Sequence, residues 1–396
     1  MDDLGPDARA DTAKLGDLAA AAGLARVHFL AWRDLDDPEA GGSELHAHEV
    51  ARRWAAAGIE VNFRTSHAAG HSQVAWRDGY RVIRKAGRYM VFPRAAFSEM
   101  MGWHGARDGL VEIWNGMPFF SPLWVRGPRI VFLHHVHAEM WDMVLPPRLA
   151  KLGRTIESRI APPIYRRTRI VTLSESSKRE LVEELGFKAK RVDVVPPGID
   201  PRFSPGGREA EQPLLVAVGR LVPVKRFHLL IDAIVQLRER HPGLRAVIVG
   251  EGYERASLTD QIERHDATGY IDLVGRITDA QLVELYRRAW VLASTSAREG
   301  WGMTITEAAA CGTPAVVTDI AGHRDAVVPG ETGLLASTDA EFVAAVDSVL
   351  TDAQLRRRLS AGALAHAERF TWAATARGTL EVLAREARRL HPLLNQ

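Results

Sequence analysis

Ser296-Ala297-Arg298-Glu299-Gly300-Trp301-Gly302-Met303-Thr304-Ile305-Thr306-Glu307-Ala308-Ala309-Ala310-Cys311-Gly312-Thr313-Pro314 runs from a turn bearing two glycines into a segment with no breaker before Gly312. The segment Thr304 to Cys311 predicts a helix, stopped by Gly312 and Pro314. A helix N-terminus presents N–H groups without intrahelical partners and about half a positive charge, which suits a phosphate or another anion. Two carboxylates frame the turn: Glu299 precedes it, and Glu307 follows eight positions later. Carboxylates so placed can accept hydrogen bonds from vicinal hydroxyls, as an acidic residue does on a ribose. A nucleotide sugar carries phosphate and hydroxyls together. A plain helix start, with acids complementing its macrodipole, reads from the same residues.

The residues upstream weigh on this choice. Leu214-Leu215-Val216-Ala217-Val218-Gly219-Arg220 reads as a buried strand, followed by Pro223-Val224-Lys225-Arg226 and a helix from Phe227 to about Arg240. Arg220 and Lys225 thus fall at a strand's C-terminal end facing a helix start. Open α/β sheets bind ligands there; Arg can grip a diphosphate bidentately and Lys can add a point charge. Further strands follow at Ala246 to Gly252 and Ile271 to Arg276, and the loop at Gly275 and Arg276 can offer backbone groups to a base. Trp290 to Ser294 leads into the opening stretch, Pro314 to Thr318 leaves it, and Gly330-Glu331-Thr332-Gly333-Leu334-Leu335 adds a turn and a strand. The last helix runs from about Ala374 to Leu390. Strands alternating with helices predict a parallel sheet.

The N-terminal half repeats the pattern. Arg26 to Trp32 is a strand, a loop leads to Ala40-Gly41-Gly42-Ser43-Glu44, and a helix through about Ala57 is ended by Gly58. Glycines where a helix begins let a backbone approach phosphate, although this is not the G-x-G-x-x-G fingerprint. Asp34-Leu35-Asp36-Asp37 has carboxylates at metal-binding spacing but reads more simply as a solvated acidic loop. Between Trp76 and Arg107, cations such as Arg81, Lys85 and Arg94 interleave with aromatics such as Tyr89, Phe97 and Trp103, so a membrane surface is one partner and an ordinary sheet edge the other reading. Val111 to Phe120 runs from a strand into a turn that contains Asn115. Arg129 to Leu133 is a buried strand with His134, His135 and His137 at its end, where a histidine can orient a hydroxyl or move a proton. No H-E-x-x-H spacing supports zinc there. A helix from Pro147 to about Ala161, a strand at Arg169 to Ser174, a helix capped by Ser176 and a strand at Arg191 to Val195 complete this half. The Pro- and Gly-dense run Pro196 to Gly207 marks the boundary.

The chain as a whole sets limits. At 396 residues it predicts two domains, and 46% hydrophobic with 25% charged residues predicts a globular protein. Fifty-one basic against 49 acidic side chains, a net +2, argue against a nucleic-acid partner. Cys311 is the only cysteine, which excludes an internal disulfide and a cysteine-built zinc site and fits a reducing compartment. The segment Met1 to Ala25 lacks a basic start and a continuous apolar run, so it reads as a mobile or peripheral helical extension and not as a secretory signal. No window holds the roughly 20 apolar residues of a membrane span, and a cytoplasmic protein is expected, with a contact at the inner face of a membrane as a further expectation.

Taken together, the motifs resemble the retaining glycosyltransferases of family 4. EGWGMTITEAAACGTP carries the family's E-x7-E pattern in Glu299 and Glu307, followed by the P-G-E-T-G-L-L segment. GRLVPVK (Gly219 to Lys225), LSESSKREL (Leu173 to Leu181) and AGGSE (Ala40 to Glu44) are similar to its phosphate, interdomain and N-terminal loop segments. The resemblance implies a GT-B fold: an α/β protein of two Rossmann-like domains with mainly parallel sheets facing a central cleft. Residues 1–24 would be an extension, 25–203 the acceptor domain with a helix of about 374–396 packing back on it, and 204–373 the donor domain. It further implies that Glu307 holds the donor ribose and Glu299 the donor sugar's hydroxyls, while Arg220 and Lys225 neutralise the diphosphate beside Gly219. Backbone at Gly300, Trp301, Gly302, Met303 and Thr304 would assist, with Gly275 and Arg276 near the base and Gly41 and Gly42 across the site. Trp301 stands where the family more often has Phe. The family's histidine maps to His134, with His135 as the alternative, and Asn115 and His137 fall on the acceptor side. The implied activity is metal-independent transfer of a hexose, with retention, from a UDP- or GDP-sugar to a hydroxyl of a sugar or glycolipid; the nucleotide sugar is a substrate, so no cofactor is expected. A nucleotide-sugar epimerase, a donor-binding protein without catalysis and a glycoside hydrolase using Glu299 and Glu307 are the other readings.

Overall fold

The computed structural model describes residues 6–138 and 140–390. They form two α/β units: residues up to Gly198 together with those from Trp372 onward, and Ile199–Thr371.

The first unit contains strands β1 (Arg26–Leu30), β2 (Glu60–Thr65), β3 (Val74–Arg77), β4 (Tyr80–Arg84), β5 (Gly109–Ile113), β6 (Arg129–Phe132), β7 (Arg169–Thr172) and β8 (Val192–Val194). They form one sheet in the order β3-β4-β2-β1-β5-β6-β7-β8, in which only the β3–β4 pair is antiparallel. Alternate side chains serve opposite faces. Phe29, Val111 and Phe132 pack with Trp54 of the helix Gly42–Ala56 and with Leu380 and Leu383 of the helix Trp372–Leu390. On the other face, Leu30 and Leu110 meet Val91 and Ala95, and Val131 and Ile170 meet Ala161 and Tyr165. Burial on both faces is why these strands read as unbroken apolar runs.

The helix Pro6–Ala21 corrects one expectation. Leu15 and Ala19 are buried in the same cluster as Trp54 and Leu383, with Leu18 packed against it, so the helix belongs to the core of this unit and is not peripheral. Its inward stripe is short, Leu15, Leu18 and Ala19, a weak hydropathy signal beside Asp7, Asp11 and Asp17.

The second unit contains β9 (Leu214–Val218), β10 (Arg245–Val249), β11 (Ile271–Gly275), β12 (Val291–Ser294), β13 (Ala315–Thr318) and β14 (Gly333–Ala336). The sheet order is β11-β10-β9-β12-β13-β14, parallel throughout, which is the Rossmann order 3-2-1-4-5-6 in the unit's own succession. The strand order reverses between β9 and β12, and in the first unit between β1 and β5. Ligands of such sheets bind beyond the carboxyl ends at that reversal.

The division falls between Gly198 and Ile199, inside the Pro/Gly-rich run but ahead of position 203. Ile199 pairs with Thr371 as an isolated bridge and clusters with Ala309, Ala363, Phe203 and Phe370, which commits 199–203 to the second unit. Two local expectations change as well. The single helix expected from Pro147 becomes Pro147–Thr155, a π-helical turn Ile156–Ile160 and Ala161–Tyr165; Pro162 and Pro163 supply no N–H, and the wider turn precedes them. The cap expected at Ser176 is Ser174, whose Oγ accepts from Ser177 N at 3.1 Å at the start of the helix Glu175–Glu183.

Candidate functional site

In the second unit Lys225 and Glu299, both singled out from the sequence, come together where β9 and β12 end. Gly219 directly follows β9, and Pro223–Lys225 forms a 3₁₀ turn. Arg226 follows in the left-handed region at φ 49°, a conformation uncommon outside glycine. Its guanidinium stabilises this by donating to the carbonyls of Thr295 at 2.7 Å and Ser296 at 3.2 Å. Thr295 Oγ1 donates back to Lys225 O at 3.1 Å, and Ala297 N donates to Val224 O at 2.7 Å. Two loops far apart in sequence are thereby locked together, and Lys225 Nζ pairs with Glu299 Oε1. Ser296 Oγ donates to the same oxygen at 2.9 Å. Burial pushes the Glu299 carboxyl up, but the Lys225 ammonium outweighs it, and the group is held at about 2. Glu299 is therefore a fixed anion, already engaged by the cation predicted to meet a diphosphate.

The turn after Glu299 demands glycine. Gly302 has φ +92° and caps the helix Met303–Ala310, and a Cβ there would lie 2.7 Å from Ile305 Cδ1. Met303 and Thr304 form the first turn of that helix. Trp301 is only 4% exposed and packs edge-on against Phe370 at 5.1 Å, so its ring is a packing element and its backbone alone lines the turn. Glu307 receives the Tyr286 hydroxyl at 3.4 Å, and burial, with Asp200 adding to it, raises its carboxyl to about 7. Arg220 and Arg276 are exposed just beyond β9 and β11, and Gly275 closes β11 with φ +74°.

Three contributors escaped the sequence reading: Ser296, Arg226 and His323. His323 Nδ1 lies 2.8 Å from Thr318 O, and burial lowers its pKa to about 4, so a neutral ring stands behind Glu299. Gly322 before it has φ +85°, and a Cβ there would come within 2.5 Å of Glu299 O. The signal available was a histidine directly after a Gly that follows a buried strand, which resembles the one that singled out His134.

In the first unit Asn115, just past β5, donates to Ser43 Oγ at 3.1 Å at the start of the helix Gly42–Ala56. Ser43 Oγ and Gly41 N both donate to Glu44 Oε2 at 2.9 Å, so the Gly41 amide is turned to Glu44. Ser43 and Glu44 thus join Gly41, Gly42 and Asn115 at the reversal of strand order. His134 is 4% exposed, with Nε2 3.2 Å from Nδ1 of the buried His46. Burial, with His46 and His135 beside it, holds its pKa well below the usual range, so the ring is neutral. His135 is half-buried and stacks on His137 at 4.8 Å. Glu157 anchors this loop, accepting from the amides of His137 at 2.8 Å and Ala138 at 3.1 Å and from Trp141 Nε1 at 3.0 Å.

Among the described residues no group of three or more His, Cys, Asp and Glu side chains is arranged to hold a metal ion. Asp34 and Asp36 face arginines instead, at 2.8 Å to Arg77 and 2.7 Å to Arg84 respectively.

Comparison with known proteins places the chain in a family. Residues 40–203 match the model for glycosyltransferase family 4 and residues 200–366 the model for glycosyl transferases group 1. A D-inositol 3-phosphate glycosyltransferase of Nocardia farcinica is 36% identical over 233 residues, covering 54% of this chain and 51% of that protein. The alignment thus spans about half of that relative's length. One from Kineococcus radiotolerans is 29% identical over 407 residues, covering 88% of this chain and 91% of that protein. Among solved structures, sucrose-phosphate synthase from Thermosynechococcus elongatus superposes with a TM-score of 0.75 at 19% identity, covering 93% of this chain and 99% of that one. The Anabaena HepE protein in complex with UDP and glucose gives 0.71 at 19%, covering 91% and 99%. With two mainly parallel sheets, the second in Rossmann order, and the two family models together spanning residues 40–366, the chain belongs to the glycosyltransferases of the family 4 type and has the GT-B fold.

Proposed function

We propose that the protein transfers a hexose from a UDP- or GDP-sugar to a hydroxyl acceptor, with retention at the anomeric carbon and without a metal. The observation that carries this reading is the Lys225–Glu299 pair at the carboxyl ends of β9 and β12, directly ahead of a helix N-terminus. A diphosphate arriving there would draw the Lys225 ammonium, with Arg220 and the first turn at Met303 and Thr304 adding positive potential. Glu299, released from Lys225, would accept from the sugar's hydroxyls, and Glu307 from the ribose. As the bond to the anomeric carbon breaks, charge grows on the departing phosphate, so the fixed cations stabilise the transition state more than the ground state. Neither carboxylate then acts as a nucleophile; the leaving phosphate itself takes the acceptor's proton. Asn115 and the histidines His134, His135 and His137 would serve the acceptor side.

The separation of the two carboxyls, Glu299 at about 2 and Glu307 at about 7, would also suit the acid and base of a hydrolase. Family membership and the cation held against Glu299 favour transfer. Incubation with UDP-, GDP- and ADP-sugars, with and without inositol phosphate, glycan and glycolipid acceptors, tests the proposal. Acceptor-dependent release of nucleoside diphosphate supports it, whereas free sugar from glycosides without any nucleotide supports the hydrolase and interconversion of the donor sugar alone supports an epimerase. Inositol phosphate belongs in the panel because the curated relatives are named for it.

A further inference from the structure

The helix Pro147–Thr155 and the π-turn Ile156–Ile160 are amphipathic in the inverted sense. Their inner face is small or polar: Ala150 and Gly153 are buried, and Glu157 is buried where it accepts from the amides of His137 and Ala138 and from Trp141 Nε1. Gly153 lies so close to Trp141 that a Cβ would stand 2.6 Å from the ring, so the helix cannot roll its larger residues inward. The large apolar side chains consequently face solvent: Leu149 at 51%, Leu152 at 53% and Ile160 at 43% exposure, with Ile156 half-buried between them. Scattered exposed leucines need no explanation, but a stripe at three- and four-residue spacing on one helix does.

The charges around the stripe have one sign. From Pro147 to Ile160 the exposed ionisable side chains are Arg148, Lys151 and Arg159; Arg154 is paired with Asp142, and Glu157 is internal. The helix Val91–Met100 lies over the same face of the sheet, since Val91 and Ala95 pack on Leu30 and Leu110 as Ala161 and Tyr165 pack on Val131 and Ile170. It too exposes Phe97 and, just beyond its end, Trp103, with Arg94 exposed beside them. Among the described residues no helix is long and apolar enough to cross a membrane, so the stripe is suited to lying on a surface.

We infer that the helix Pro147–Thr155 with its π-turn docks this unit on an anionic lipid bilayer, Leu149, Leu152 and Ile160 entering the headgroup boundary while Arg148, Lys151 and Arg159 meet lipid phosphates. Cations at such a boundary each add to binding and make it salt-dependent. The inference stands apart from the donor reading, because its readout is partition and not turnover. Sedimentation of the full chain with vesicles of phosphatidylcholine mixed with phosphatidylglycerol, and with phosphatidylcholine alone, tests it. Wild type should bind the mixed vesicles, lose binding as salt is added, and bind phosphatidylcholine weakly. L149Q/L152Q should weaken partition roughly 10-fold or more, given the apolar area withdrawn from lipid, and R148Q/K151Q/R159Q should do the same on mixed vesicles only. Both variants change exposed positions, and an unaltered thermal midpoint checks that they fold. No binding by wild type, or undiminished binding by folded L149Q/L152Q, overturns the inference. So does light scattering that shows a wild-type dimer made monomeric by L149Q/L152Q with vesicle binding unchanged, since the stripe would then join two copies.

Discussion

Lys225 is the side chain on which the donor reading turns, because it is the cation already drawn against Glu299. Lys225→Ala and Arg220→Ala should each lower kcat by about 10²-fold or more, the usual cost of removing a group that meets developing charge, and near-normal turnover in both would sink the assignment. Glu307 offers an independent check by pH. Its carboxyl is raised from 4.5 to about 7 by burial, and only the ionised form accepts from two hydroxyls. Donor affinity should therefore rise as pH climbs from about 6 to about 8 and then level off, whereas Glu307→Gln should bind more weakly with no such rise; titration calorimetry across that range decides it. His134 and His135 are separable in the same spirit. The buried neutral His134 backs onto His46, while His135 keeps access to solvent. If His134 meets the acceptor, His134→Ala should cut kcat with little change in donor affinity and His135→Ala should be mild; the reverse ranking would assign the role to His135.

The helix Met303–Ala310 depends on how it begins. Gly302→Ala forces a side chain into φ +92° and against Ile305, so it should destabilise the second unit by roughly 1–3 kcal/mol and reduce the thermal shift given by nucleoside diphosphate. A variant that melts and binds like wild type would remove the helix start from the site. Much at this level was legible beforehand: the helix Phe227–Arg240 was bounded by its own hydrophobic period and the loop before it, and the strands β1, β6, β7 and β9 by their apolar runs. What escaped depends on local geometry that residue types do not encode. Ser174 and Ser176 are equal candidates for a cap until the backbone turns, and the buried seat of Glu157 on the Trp141 indole within the π-turn Ile156–Ile160 depends on a contact 16 residues away.

The first unit takes part of its core from the far end of the chain. Leu380 and Leu383 of the helix Trp372–Leu390 are wholly buried among Phe29, Trp54 and Phe132, and Trp54 Nε1 donates to Ala376 O at 2.9 Å. Leu383→Ala should cost about 2–5 kcal/mol and lower the unfolding transition of this unit in a denaturant or thermal melt while leaving nucleotide binding by the second unit in place. The return of that helix was expected from family resemblance, whereas the inclusion of Pro6–Ala21 in the same core was not, because a stripe of three residues, Leu15, Leu18 and Ala19, is informative only once its partners are known. By itself the sequence determined the alternation of strands and helices, the Gly turns and the acids Glu299 and Glu307, since periodicity, breakers and motif spacing are local properties of the chain. Only the tertiary structure decided that Lys225 meets Glu299, that His134 sets its Nε2 against His46 and that Leu149 and Leu152 face outward. Each of these depends on which distant residue fills the neighbouring volume, and that is settled when the sheets pack.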